Sequence, residues 1–350
     1  MRETARRALI ASAIFVGVVA LALALWKLKL LIALLFFAFI IAAAMRPGVD
    51  RLRRYHVPRA AGVLLHYAAL AGLIALVLYF LVPIAQTQIS NAVPTSRSEL
   101  NKATKHSKGI KHEILKGIQK RLKKLPSASK IVDTGLQVGV RAFEILIGIF
   151  FVFASAAYWI FERDRAERVV LSLLPPRRRK IVRDTWNLID LKLGAFVRGQ
   201  LMLVALVATV LSFAFWAIGL HFWLLIGVFA GIVELVPVIG PLSAGAVAIG
   251  VGLTQSWQVA LAAGLVVLTV RLLEDYVVSP KVLGDAVGLT PLTVLLSVAA
   301  VTFLFGGFAV LLAIPFVAVL VTIVDVMVFD KNPADEETPT VLFPAKEAEN

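Results

Sequence analysis

Three long apolar runs at the start of the chain constrain it more than any other feature. Residues 8–26, 30–45 and 60–82 carry almost no polar side chain, and short basic segments separate them. A helix needs about 20 mostly apolar residues to cross a roughly 30 Å hydrocarbon layer. Backbone groups have no water to bond there, so only helices and closed barrels span it. The runs are continuous and do not alternate as barrel strands would, so the expected fold class is all-α, a polytopic helical membrane protein. Hydrophobic residues make up 59% and charged residues 17%, against about 45–50% and 25% in a typical soluble domain. A soluble globular enzyme, a disordered protein and a fibrous repeat are excluded on that ground. The absence of Cys excludes a disulfide framework and thiol chemistry.

The chain divides by polarity. Residues 1–82 hold the first three spans, with a tight hairpin expected between 26 and 30 and a stop at Pro83. Arg2, Arg6 and Arg7 before an apolar run resemble a signal peptide, but the run is too long and no small-residue cleavage site follows it. Residues 83–138 form the one long polar stretch, where Ile110, Ile114, Ile118, Leu122 and Leu125 recur at amphipathic-helix spacing up to Pro126. Residues 139–193 hold a fourth span and then a basic helix whose Val182, Trp186, Ile189 and Leu193 fall on one stripe, as in an interfacial helix. Residues 194–329 form a C-terminal core, and 330–350 an acidic tail expected to be disordered.

The net charge of +14 invites a nucleic-acid reading. In a membrane protein, however, Lys and Arg mark cytoplasmic loops and meet anionic headgroups, and no base-reading motif is present. No nucleic-acid partner is expected; membrane lipids are. Arg51, Arg53, Arg54, Arg177, Arg178, Arg179 and Lys180 are the candidate headgroup anchors. Their placement puts both termini on the cytoplasmic side and residues 83–138 outside, although that stretch holds many Lys residues of its own. About eight crossings are expected.

The C-terminal core is unusual because its apolar runs are short and broken. Residues 222–236 stop at Pro237-Val238-Ile239-Gly240-Pro241, and 291–305 stop at Gly306-Gly307, with Pro315 in the run beyond. Pro and Gly cannot continue a helix cheaply. Unwound backbone at membrane depth is tolerated only inside protein or along a wet cavity, and paired broken segments are the sequence mark of a transporter's solute site. Two broken or re-entrant helical hairpins flanking the run 257–273 are therefore expected. Ordinary kinked spans packed through small residues are the alternative.

Charged residues inside apolar runs are costly and usually functional. Glu234 stands three residues before Pro237, where it could take a proton, bind a monovalent cation, bond a polar solute, or simply cap the turn. Arg271, Glu274 and Asp275 lie at one helix end at spacings that bring them onto one face. The candidate pathway comprises Glu234, Pro237, Gly240, Pro241, Glu274, Pro280, Gly306, Gly307 and Pro315. The candidate coupling or gating residues are Glu234, Arg271, Glu274 and Asp275. No phosphate-binding GxxxxGK[ST] loop, HExxH pair or Gly-x-Ser-x-Gly elbow occurs. No cofactor, no metal and no enzymatic activity are expected.

The ordered set of motifs resembles the autoinducer-2 exporter family of bacterial multi-span membrane proteins. The elements are Phe196-Val197-Arg198-Gly199-Gln200, Gly219, Val236-Pro237-Val238-Ile239-Gly240-Pro241, Arg271-Leu272-Leu273-Glu274-Asp275, Pro280, Gly284, Leu289-Thr290-Pro291, Gly306-Gly307 and Ile314-Pro315. Arg46-Pro47, Leu81-Val82-Pro83, Val93-Pro94 and Leu174-Pro175 fit more loosely. The resemblance covers nearly the whole chain except the tails. It implies a secondary or facilitative exporter in the cytoplasmic membrane, with about eight crossings, moving a small polar solute such as a signalling molecule. Some members are associated with sodium/proton exchange, which makes an antiporter the alternative. This chain has Val238 where an aromatic residue is common in the family, so the solute stays open. A membrane scaffold or receptor acting through 83–138 is the alternative of another class. Faces with Gly245, Gly250 and Gly252 allow a homo-oligomer.

Overall fold

The computed structural model describes residues 2–106, 128–236, 239–278 and 291–336. Among these residues there is no strand. Ten α-helices follow one another: α1 (Arg2–Lys27), α2 (Lys29–Arg54), α3 (Arg59–His106), α4 (Ala128–Ser172), α5 (Pro176–Ala217), α6 (Trp223–Val233), α7 (Ile239–Gln255), α8 (Trp257–Leu273), α9 (Pro291–Phe305) and α10 (Ala313–Met327). A π-turn, Glu274–Val278, extends α8, and a 3₁₀ stretch, Gly307–Leu312, precedes α10. Five segments among the described residues are long and apolar enough to cross a membrane: Lys29–Arg54, Arg59–Gln88, Phe143–Ser172, Pro176–Ala217 and Ala309–Met327. Large apolar side chains point outward along them, among them Phe80, Phe150 and Phe213. Such faces suit lipid, and the protein is an all-α, multi-pass membrane protein.

Helix boundaries fall in different places from those expected at four points. No tight hairpin separates α1 from α2. Leu28 N–H donates to Ala24 O at 2.9 Å and Ile32 N–H to Leu28 O at 2.9 Å, so the ladder runs through the junction. Neither Gly nor Pro stands there to stop it. The Arg46–Arg54 segment is the end of α2, with Pro47 inside the helix, and α3 likewise runs through Pro83. The basic helix before the fifth span is continuous with it as the 42 residues of α5. Its apolar stripe faces protein instead of a membrane surface. Leu193 is buried against Ile40 and Ala43 of α2, and Trp186 stacks on Trp159 of α4 with ring centroids 6.2 Å apart. The amphipathic segment around 110–125 and the tail beyond 336 lie outside the described residues, apart from the tail's first positions.

Helix α2 is the hinge of the packing. One face joins α3 and α4 through Ala38, Ala42, Val49, Val63, Val152, Ala156 and Ile160. Another meets α5 and the end of the 3₁₀ stretch before α10 through Ala33, Ile40, Ala43, Leu193 and Leu312. A larger core is made by α5 to α8, where Val207, Leu211 and Phe215 pack on Ile226, Ala230, Ala244, Ala248 and Ala263. Small residues allow this, as they do between membrane helices generally. A Cβ on Gly231 would lie 2.6 Å from both Val204 O and Ala208 Cβ. Phe215 is the largest side chain sealed into the core, with no exposed surface. Phe215→Ala is expected to destabilise the protein by about 3–5 kcal/mol; thermal unfolding in detergent measures it, and an unshifted midpoint would contradict the assigned packing.

Candidate functional site

The site begins where α6 gives out. Helix α6 is 11 residues long, about 16 Å of helix, roughly half a hydrocarbon core. Glu234 is its C-cap. Val236 N–H donates to Val233 O at 2.9 Å, closing a tight turn, and Gly240 N–H donates to Val236 O at 2.8 Å as α7 starts. Pro237 and Val238 lie outside the described residues. The crossing leaves no room for a side chain at Gly240, where a Cβ would stand 2.1 Å from Val233 O. Pro241 sits in the first turn of α7, where its missing N–H leaves no intrahelical bond unmade.

Helix α8 supplies the other half. Its last turn carries Arg271 and passes into the π-turn Glu274–Val278, a local widening frequent at functional sites. Arg271 Nη1 lies 3.0 Å from Glu234 Oε1 and 3.4 Å from Glu274 Oε2, and its Nη2 lies 2.9 Å from Asp275 Oδ1. Glu234 and Glu274 expose only 7% of their side chains, whereas Arg271 exposes 33% and Asp275 45%. The cluster therefore has a dry side, formed by the two glutamates, and a wet side at Arg271 and Asp275. Gln200 of α5 donates to Glu234 O at 3.2 Å, which ties the turn to the helix behind it. One guanidinium serves three carboxylates. A buried charge is tolerable only when paired and hydrogen-bonded, and a single cation cannot neutralise both glutamates.

The second broken segment meets the first. Helix α9 ends at Phe305, Gly306 adopts φ 92°, and the 3₁₀ stretch carries the chain to α10. Val236, at the first break, packs on Val298, Val301, Ala309, Val310 and Ala313 around the second. The breaks are thus in hydrophobic contact. Pro315 is buried inside α10. Gly306, Gly307 and Pro315 belong to the second break, and Pro280 lies outside the described residues. Of the candidate residues, the structure gathers Glu234, Arg271, Glu274 and Asp275 into one centre, with Gly240 beside it.

The basic anchors Arg51, Arg53, Arg54 and Arg177 to Lys180 are all exposed, as headgroup contacts require, and Arg51 and Arg54 also line a cleft together with Arg46 and Arg198. A second ionic network went unread in the sequence. Asp190 of α5 accepts from Arg46 of α2 at 2.9 Å and from Arg163 of α4 at 2.8 Å. Arg163 also bonds Glu167 and Asn187, each at 2.6 Å. Its members are 117 or more positions apart between α2 and the rest, so no local spacing connects them; the only signal was an acid, Asp190, on a helix with a buried stripe.

Comparison with known proteins agrees with the geometry. The family described as AI-2E family transporter matches residues 14–329. The "Putative transport protein YrrI" of Bacillus subtilis (strain 168) is 23% identical over 294 residues, covering 82% of this chain and 83% of the relative. The "Putative transport protein YueF" of the same organism is 27% identical over 310 residues, 83% of each chain. The "Putative transport protein MT0215" of Mycobacterium tuberculosis (strain CDC 1551 / Oshkosh) is 24% identical over 333 residues, 91% of this chain and 89% of the relative. A match across all the described spans, joined to paired broken helices around an ionic centre, places this chain in the AI-2E transporter family.

Proposed function

We propose that this membrane transporter is a secondary or facilitative exporter of a small polar solute across the bacterial cytoplasmic membrane, with both termini cytoplasmic. Glu234 and Glu274 act as its coupling acids and Arg271 as their shared counter-ion. The observation that carries this reading is two buried carboxylates on one guanidinium, at the contact between two broken helices. Arg271 offsets one negative charge, so the other must be met by a proton, a monovalent cation or a donor group of the solute. Whatever supplies it stabilises one arrangement of the turn over another, which is how a ligand shifts a conformational equilibrium.

The same carboxylate excess suits sodium/proton exchange with no organic solute, the second reading. The scaffold alternative draws on residues around 100–125, most of them outside the described set, and no observation favours it.

Sealed proteoliposomes given a panel of small polar solutes, with and without imposed proton and sodium gradients, test the proposal. Glu234→Gln and Glu274→Gln are each expected to lower gradient-driven flux at least ~100-fold while folded protein remains, given the usual reach of a removed charged group in a dry site. Cation flux without any solute flux would select the antiporter. Undiminished transport by both variants would remove the acids from the mechanism.

A further inference from the structure

A second charged site lies at the Arg-rich end of α2, away from the acid cluster. A cleft of about 440 Å³ opens between α2 and α5, and its charged lining is Arg46, Asp50, Arg51, Arg54, Asp190 and Arg198. Four guanidiniums face two carboxylates. Both acids are already engaged by one of the four: Arg46 Nη1 lies 2.9 Å from Asp190 Oδ2, and Arg46 Nε lies 3.4 Å from Asp50 Oδ2. Asp190 is held from behind as well, by Arg163 Nε at 2.8 Å. Among the described residues no carboxylate pairs with Arg51 or Arg198.

Arg198 is the more telling of the two. It projects from inside the run of α5, and its Nη1 donates to Ala44 O at 3.2 Å. Its Nη2 is shut off from solvent and has no hydrogen-bond partner. An unused guanidinium donor in such a place costs free energy unless a ligand takes it. The planar fork of Arg matches the oxygens of an anionic phosphate group.

We propose that this cleft binds a phosphate group, with Arg198 and Arg51 as its principal ligands. The group belongs either to a free phosphate-bearing anion or to the headgroup of an anionic phospholipid lying against α2. The proposal is independent of the coupling role of Glu234 and Glu274, which sit on other helices.

The full chain, purified in non-ionic detergent, would be titrated with inorganic phosphate at matched ionic strength, with thermal unfolding as the readout. In parallel, native mass spectrometry would compare retention of phosphatidylglycerol and phosphatidylcholine. Binding of inorganic phosphate that falls at least ~10-fold in the Arg51→Gln/Arg198→Gln double variant supports the proposal and a soluble ligand. Selective retention of phosphatidylglycerol, lost in the same variant, supports it with the lipid as source. Failure of both probes to bind the wild-type chain, or equal binding by the variant, overturns it. If the double variant does not fold, Asp50→Asn decides. Asp50 is half-exposed, so its amide is tolerated, and removing its charge should tighten binding of whichever probe binds several-fold; unchanged or weaker binding overturns the proposal.

Discussion

Arg271→Ala is expected to be the most damaging single substitution in the transport core, removing gradient-driven flux and lowering stability by about 3 kcal/mol. Removing one partner of a buried ion pair typically costs about 3–5 kcal/mol, because the remaining charge is left bare. Here two glutamates are left bare, each with 7% of its side chain exposed. Arg271 itself is a third exposed, and water screens that side, which places the loss at the low end of the range. Arg271→Lys keeps the charge but not the fork that lets Nη1 reach both glutamates while Nη2 holds Asp275, so an intermediate loss is expected. The double variant Arg271→Gln/Glu234→Gln removes a bare acid together with its counter-ion. It should recover much of the stability lost in Arg271→Gln alone and none of the coupled flux, and that non-additivity marks groups in direct contact. Thermal unfolding in detergent and flux in proteoliposomes measure the two effects separately. An Arg271→Ala protein with an unchanged unfolding midpoint would mean that the cluster is not formed as described.

Gly240→Ala is expected to be nearly as severe, for a steric reason. The added Cβ would stand 2.1 Å from Val233 O, 2.7 Å from Val233 C and 3.1 Å from Glu234 Cα. All three are backbone atoms, so no rotamer change relieves the clash; the start of α7 must move off the end of α6. Overpacking of well-packed sites costs roughly 1–3 kcal/mol and sometimes more, and a backbone clash this close belongs at or above the top of that range. The movement also carries Glu234 away from Arg271, so flux should fall with stability. Gly250→Ala is the control. It lies on the same helix with nothing within 4 Å of its Cβ, and alanine is the better helix former by about 1 kcal/mol. Gly250→Ala should be neutral or slightly stabilising; equal damage by both substitutions would show that small size on α7, and not the crossing at Gly240, is what matters.

Much of the candidate centre was legible because it is local. Arg271, Glu274 and Asp275 are three and four positions apart on a helix end, a spacing that forces them together wherever that helix goes. Glu234 was legible as a lone acid beside Pro237, but its partner was not: Arg271 lies 37 positions away, and only the packing of α6 to α8 on α5 brings them within bonding distance. The pairing of the two broken segments was readable from Pro and Gly, which interrupt helices by their covalent structure. The contact of Val236 with the second break was not.

Proline misled where its neighbours overrode it. Pro83 does not end its helix, because the local loss of one hydrogen bond is outweighed when the preceding apolar residues gain by staying helical in an apolar medium. The stripe of Trp186, Ile189 and Leu193 was correctly amphipathic, yet periodicity cannot say whether an apolar face meets lipid or another helix. Here it meets α2 and α4.

The amino-acid sequence by itself determined the class of solvent, the helical character of the chain, the places where helices must break and the short-range acid cluster. Each of these follows from the chemistry of residues within a few turns of one another. Tertiary structure alone decided that Glu234 shares Arg271 with Glu274, that Asp190 joins Arg46 to Arg163, and that Arg198 comes to lie beside Arg51 in a charged cleft. These contacts join distant segments, and their geometry is set by how small-residue faces such as those of Ala42, Ala43 and Gly231 let the helices approach.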